Sequence, residues 1–290
     1  MSAFGHNVTS DSIGCPALPG TDCTEALQGW ADHVFNNHGG GELLLPAGMY
    51  KVSAPIVLRG TTSIRGEFMA TVLEAVGDTT VLKFTGTRHA FRDVLVVGCK
   101  DWSATRPTVY VGNNVCLHMA DVTIWHGATA MEMHGNDGRI RDSFLWGHQS
   151  CMQNHGNNWY FGVKFDDCGV IGPNGQPWQT PYSVICGAGL TENYFFGCDF
   201  SGNFGHSLYA NGVIGHFQKF IGCIFSSPVD VTLNQWALFS GCTFGSTVFN
   251  AQGAAVTVEQ SYKIGTPAMN VAIAPNGLRR MGWDTSYNIT

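Results

Sequence analysis

Between residues 91 and 244 one six-residue phrase returns seven times: FRDVLV (91–96), MADVTI (119–124), IRDSFL (140–145), YFGVKF (160–165), FFGCDF (195–200), FIGCIF (220–225) and FSGCTF (239–244). Its first, fourth and sixth columns are apolar apart from one serine, as inward-facing strand positions are. The second and fifth mix Arg, Lys, Asp and Thr with apolar residues and mostly face outward. The third column holds only Asp (Asp93, Asp121, Asp142) or Gly (Gly162, Gly197, Gly222, Gly241). Strict alternation would place it inside. Asp and Gly instead tolerate left-handed backbone, so the column marks a corner where one short strand turns into the next.

A second phrase precedes these frames. VGNN (111–114), HGND (134–137) and HGNN (155–158) each follow a short apolar run and carry turn chemistry. Each repeat therefore reads strand, Gly-Asn turn, strand, Asp/Gly corner, strand, variable loop. A period of about 20 to 25 residues, lengthened by insertions, is that of a solenoid with three strands per coil. Cys198, Cys223 and Cys242 share the fourth column and are expected to stack inside as small buried hydrophobes.

Ahead of the repeats, Asp22 with Glu25 has capping-box spacing. Ala26, Leu27, Trp30, Ala31, Val34 and Phe35 then form a helical apolar stripe. A glycine stop, a buried strand, a Pro-Ala-Gly turn and another strand follow. The helix predicted here would cover the first coil's open end.

The segment DCTEALQGWADHVFNNHGGGELLLPAGMYKV (22–52) resembles the N-terminal part of the pectate-lyase-like, right-handed β-helix superfamily, which includes phage tailspike depolymerases. Thr24, Ala26, Gln28, Gly39 to Gly41, Pro46, Gly48 and Tyr50 carry the likeness, while Cys23 stands where an acidic residue is common. The expected fold is all-β: a right-handed parallel β-helix with an N-terminal capping helix. Residues 1–55 are expected to form the N-terminal segment and cap, 56–260 the rungs, and 261–290 a C-terminal cap or oligomer contact. No catalytic signature of pectate lyases, polygalacturonases or alginate epimerases is present, so the likeness leaves the chemistry open.

Composition narrows the function. Charged residues make up 12% of the 290, against about 25% in ordinary domains, and there are 37 glycines. A net charge of −6 with 15 Lys+Arg and no basic run disfavours a nucleic-acid partner. No stretch is apolar enough to span a membrane. The N-terminus lacks the charged and apolar regions of a classical signal peptide. Ten cysteines occur without a CxxC pair, so neither a zinc ribbon nor a dithiol redox motif is indicated.

The resemblance places a groove along the first sheet of each coil and the loops entering it. Those loops carry Trp102, Trp125, Trp146 and Trp178. Their indoles would suit sugar rings, or else cover apolar surface at loop bases or a subunit contact. His126, His148, Lys100 and Arg106 lie on the same loops. Aligning first strands puts Glu132, Gln153, Tyr209 and Asp230 on one outward ladder, with His134, His155, Asn211 and Thr232 on the next.

Glycoside hydrolysis needs two carboxyls about 5–5.5 or about 6.5–9.5 Å apart. Glu132 with Asp166 or Asp167 is the candidate pair, unless the two aspartates only tie a turn. His134 and His155 are candidate acid–base groups, or a structural stack. The histidines lack metal-ligand spacing, and no metal or cofactor is called for. A phage-tailspike-like polysaccharide depolymerase is expected, hydrolase before lyase, with a polysaccharide as partner. The alternative is a non-catalytic glycan-binding or structural β-helix in an appendage. An isomerase or epimerase acting on a polymer is a third option. Inward cysteines suit folding in a reducing cytoplasm before deployment on a virion or outside the cell. A homotrimer follows from family analogy alone.

Overall fold

The computed structural model describes residues 7–9, 21–166, 182–186, 192–201, 206–211, 216–226, 229–232, 235–245, 249–251, 255–259, 261–263, 271–273 and 279–281. They form a parallel β-solenoid of about 7 turns with one helix near the N-terminus. Ten short strands, from Ile56–Leu58 to Val271–Ile273, make the first wall. Nineteen more share a second sheet that bends at the corners into two further walls. In the rungs at Thr61–Ala75, Arg88–Val97 and Cys116–Trp125 one strand runs through the corner. Later rungs break there, as at Gly138–Arg141 and Phe144–Trp146.

The repeated phrase maps onto this geometry column by column. All seven third-column residues have positive φ, from 48° at Asp142 to 63° at Gly222. Every first- and sixth-column side chain is buried, from Phe91 and Val96 to Phe239 and Phe244. Successive rungs superpose like on like. Tyr160, Phe195, Phe220 and Phe239 stack at 4.6, 4.8 and 4.7 Å, and Phe165, Phe200, Phe225 and Phe244 at 4.9, 4.7 and 5.3 Å. The two columns meet edge to face, as at Phe220–Phe225. Burying each ring contributes on the order of 1.5–3 kcal/mol, with about 0.5–1.5 more per ring pair.

The Gly-Asn turns also have a structural cause. Asn158, Asn193 and Gln218 occupy equivalent buried positions on successive rungs. Asn158 accepts from the Gly138 amide at 2.9 Å and donates to the Gly135 carbonyl and Asn154 Oδ1. Its own amide donates to Asn193 Oδ1. This polar ladder satisfies the backbone that the turn exposes. Gly156 has to be glycine: a Cβ there would lie 1.7 Å from the Gly135 carbonyl oxygen.

Helix α1, Thr24–His38, buries Leu27, Trp30, Ala31 and Val34 against the first rung, while Phe35 remains 38% exposed rather than joining the stripe. The expected capping box does not form. Cys23 is the N-cap and makes no side-chain cap. Asp22 accepts instead from the Thr24 amide and hydroxyl and from the Ser53 hydroxyl, tying the helix entry to the strand Gly48–Val52. Gly40–Leu44 and Gly48–Val52 already pair in register with Thr61–Ala75, so rung structure precedes residue 56. Val271–Ile273 and Arg279–Met281 continue the ladders at the other end.

Cys198, Cys223 and Cys242 are buried free thiols, as expected of the stack. Burial raises the Cys186 thiol to about 12. Cys23 and Cys151, by contrast, are disulfide-bonded. Disulfide bonding at these two cysteines, one of them in the rung strand Ser150–Asn154, runs against the expectation of folding in a reducing compartment, which the free thiols of Cys198, Cys223 and Cys242 alone suited.

Candidate active site

On the first wall, register aligns Lys83, Tyr110, Glu132, Gln153, Ile185, Tyr209 and Asp230 on one ladder. Because strands alternate, a ladder beside buried Met131 and Met133 faces outward. Glu132 Oε1 lies 2.6 Å from His134 Nε2, so the ring N–H donates to the carboxylate. That bond engages Nε2, and Nδ1 is the nitrogen left on the other side of the ring. His155, one rung on, stacks on His134 at 4.5 Å and 16°. The two rings follow the HGND and HGNN turns, whose His134 and His155 amides donate to the carbonyls of Val111 and Met133. Burial lowers the His155 pKa, the charge of His134 lowers it further, and Glu132 partly opposes both.

A groove of about 630 Å³ opens beside this pair, lined by Asp78, Lys83, Arg106, Tyr110 and Glu132 among others. Lys83 Nζ sits 5.4 Å from the Tyr110 ring centroid, and that ring lies 5.4 Å from His134. Burial works against the charge of Asp78. The Thr105 hydroxyl and amide, the Arg106 amide and the Arg106 charge outweigh it, holding the carboxyl below its ordinary value. Gln153 donates to Thr129 Oγ1 at 3.2 Å.

A second cluster occupies the loop edge. Trp102 packs on His148 at 4.4 Å and edge-on to Trp146 at 6.5 Å, and His126 packs on Trp146 at 4.5 Å. These indoles are half-buried and His148 is buried, so they close the base of the 98–107 loop. Trp125 is the half-buried register partner of Trp146. His148 Nε2 donates to the Cys99 carbonyl at 3.1 Å. Burial, with the charges of His148 and Lys100 added, lowers His126 to about 4.

The groove thus brings together Glu132 and Arg106, with His134, His155 and Gln153 on the same face. Among the described residues it does not recruit Asp166 or Lys100. Asp166 pairs with Lys164 at 2.7 Å, Lys100 pairs with Glu74, and none of these lines the groove. Asp167 and Trp178 lie outside the described residues, and Tyr209 and Asp230 are placed by backbone register alone. Lys83, Tyr110 and Asp78 join the candidates only once the fold is known. The first two stand at the Glu132 position of the preceding rungs, a signal available in VLKF and TVYV.

Glu132, His134 and His155 are also the one set among the described residues able to hold a metal ion, their donor atoms lying within 4.8 Å of one another. Near-parallel rings direct their in-plane lone pairs side by side, so convergence on an ion would require one ring to turn.

No protein-family model and no curated relative matches the chain. Solved structures do. ORF18 of Geobacillus virus E2 superposes with a TM-score of 0.60 at 17% identity, over 91% of this chain and 62% of that one. The tailspike gp49 of the Acinetobacter baumannii bacteriophage Fri1, a capsular polysaccharide depolymerase, superposes at 0.53 and 11% identity over 95% and 65%. The chain is a parallel β-helix protein. The Agl-KA catalytic domain also shares this fold, at 0.52 and 12% identity over 92% of this chain and 67% of that domain. This β-helix spans a little under two thirds of either phage protein.

Proposed function

We propose that this β-helix acts on a polysaccharide and cleaves its glycosidic bonds in the first-wall groove, with Glu132 and His134 as the acid–base pair. The observation that carries the proposal is the 2.6 Å Glu132–His134 contact at the edge of an open groove. A polar pair beside an open groove suits a polymer better than a small metabolite, which calls for an enclosed site. The likeness to a capsular polysaccharide depolymerase supports the substrate class.

Hydrolysis is the leading reaction. In it the proton held across the Glu132–His134 contact would pass to the leaving oxygen, and Asp78, held ionised, supplies the second carboxylate of the groove. A second reading has its own support: Lys83 and Arg106 line the same groove and could neutralise a uronate carboxylate during β-elimination. Virion or extracellular deployment belongs to the proposal through the phage likeness, and a trimeric state through the resemblance of the N-terminal segment alone.

The test incubates the protein with bacterial and plant polysaccharides and follows chain length by size-exclusion chromatography. Shortening without new ultraviolet absorbance supports hydrolysis; shortening with it identifies an eliminase. A glycan that binds and is never shortened would replace the enzyme with a binding module.

A further inference from the structure

The second wall, formed by the strands between the Gly-Asn turn and the corner, carries chemistry that the first-wall groove does not use. Two ladders face outward there. One runs Glu42, Ser63, Ala90, His118, Arg139, Trp159, Tyr194, Lys219, and the other Arg65, Arg92, Ala120, Arg141, Phe161, Phe196, Ile221.

Small side chains at Ser63, Ala90 and Ala120 leave a depression of about 580 Å³, and Arg92, Arg139 and Arg141 line it. Among the described residues these arginines make no ion pair, whereas Arg59, Lys100 and Lys164 each have one. Glu42 is the one acid in the lining, at the far end of the depression, and the corner residues Asp93 and Asp142 directly follow Arg92 and Arg141 in sequence. Burial lowers the pKa of His118, and the charges of Arg139 and Arg88 push it lower still, so the cationic field covers the depression.

The same two ladders then turn aromatic. Trp159 stacks on Tyr194 at 5.7 Å and Phe161 on Phe196 at 5.1 Å. Lys219 sits 4.6 Å over the Tyr194 ring, and Phe161 is 38% exposed. Six rung steps of about 4.8 Å separate Arg65 from Ile221, a track of roughly 29 Å.

We propose that this wall is a second, non-catalytic binding track for an acidic polysaccharide. Arginine takes carboxylate or sulfate groups bidentately, and flat aromatic faces take sugar rings. Nucleic acid is the poorer fit, because the chain is −6 overall and the arginines occupy half a track, with Lys219 alone beyond them. The track lies on a different wall from Glu132 and does not rest on the reaction assigned there.

Equilibrium binding to dextran sulfate, dextran, polygalacturonate and a short DNA duplex tests this, for the protein and for R139Q/R141Q. Both acidic glycans should bind and neutral dextran should not, with binding weakened by salt. The double variant should lose about tenfold and a Trp159→Ala variant several-fold. Arg59→Gln, whose residue pairs with Asp32 elsewhere, should change nothing. Undiminished glycan binding by the double variant, tighter binding to DNA, or an oligomer that the double variant dissociates would each overturn the assignment.

Discussion

Phe220 sits at the crossing of the two aromatic columns and gives the sharpest test of what holds the solenoid together. It is fully buried, face-stacked on Phe195 and Phe239 at 4.8 and 4.7 Å, and edge-on to Phe225 at 5.5 Å. Truncation to alanine removes a buried ring and leaves a cavity that the rungs above and below cannot close, since their backbones are hydrogen-bonded in register. Phe-to-Ala changes in cores cost about 3–5 kcal/mol. Two stacks at about 0.5–1.5 kcal/mol each place this site at the upper end, near 4–5. Phe220→Leu retains most of the volume and loses both stacks, for about 1–3 kcal/mol. The assay is guanidinium unfolding followed by near-ultraviolet circular dichroism, with Val76→Ala, at a half-exposed residue outside the columns, as control at under about 1 kcal/mol. An F220A cost no larger than that of the control would refute the stacked-column account.

Corner substitutions separate backbone strain from crowding. Gly222 has φ 63°, and a Cβ placed there would have no neighbour within 4 Å. Gly222→Ala should therefore cost only the left-handed penalty, about 1–2 kcal/mol in an unfolding titration, and Gly222→Asn less. Acid should weaken the fold through the buried-histidine cluster. His126 is held near 4, below the ordinary 6.5, so the unfolded chain binds more protons between those values. Its contribution is present above about 6.5 and is lost as pH falls towards 4. His126→Asn, which also tolerates the positive φ there, should flatten that part of the stability–pH curve; an unchanged curve would show that His126 is not linked to folding.

The rungs were legible because a solenoid repeats its constraints. Each corner demands left-handed backbone and each inward column demands one size of side chain, so Asp/Gly and Phe/Cys recur at fixed offsets. The cap was legible in outline only: Asp22 has the spacing of a capping box, yet its carboxylate goes to Thr24 and Ser53, the latter just past a strand that local sequence cannot place. The site was legible where it obeys register, as for Glu132, His134, His155 and Gln153. It was not legible where loops decide. Asp78 reaches the groove from a segment between rungs and is not among the sequence candidates, whereas Arg106, also between rungs, is; Asp166 is claimed by its neighbour Lys164. Trp102, Trp125 and Trp146 share an edge as expected, but whether an indole faces solvent or packs on His148 depends on loop closure, which carries no period.

The most direct test of the central claim compares Glu132→Gln with the unaltered protein on a polysaccharide that the latter shortens. Glutamine preserves the shape and a hydrogen bond to His134 while removing the titratable group. The account predicts unchanged glycan affinity with chain cleavage reduced about 10²- to 10⁴-fold. Cleavage at an undiminished rate would remove Glu132 from the chemistry and with it the first-wall groove as the active site.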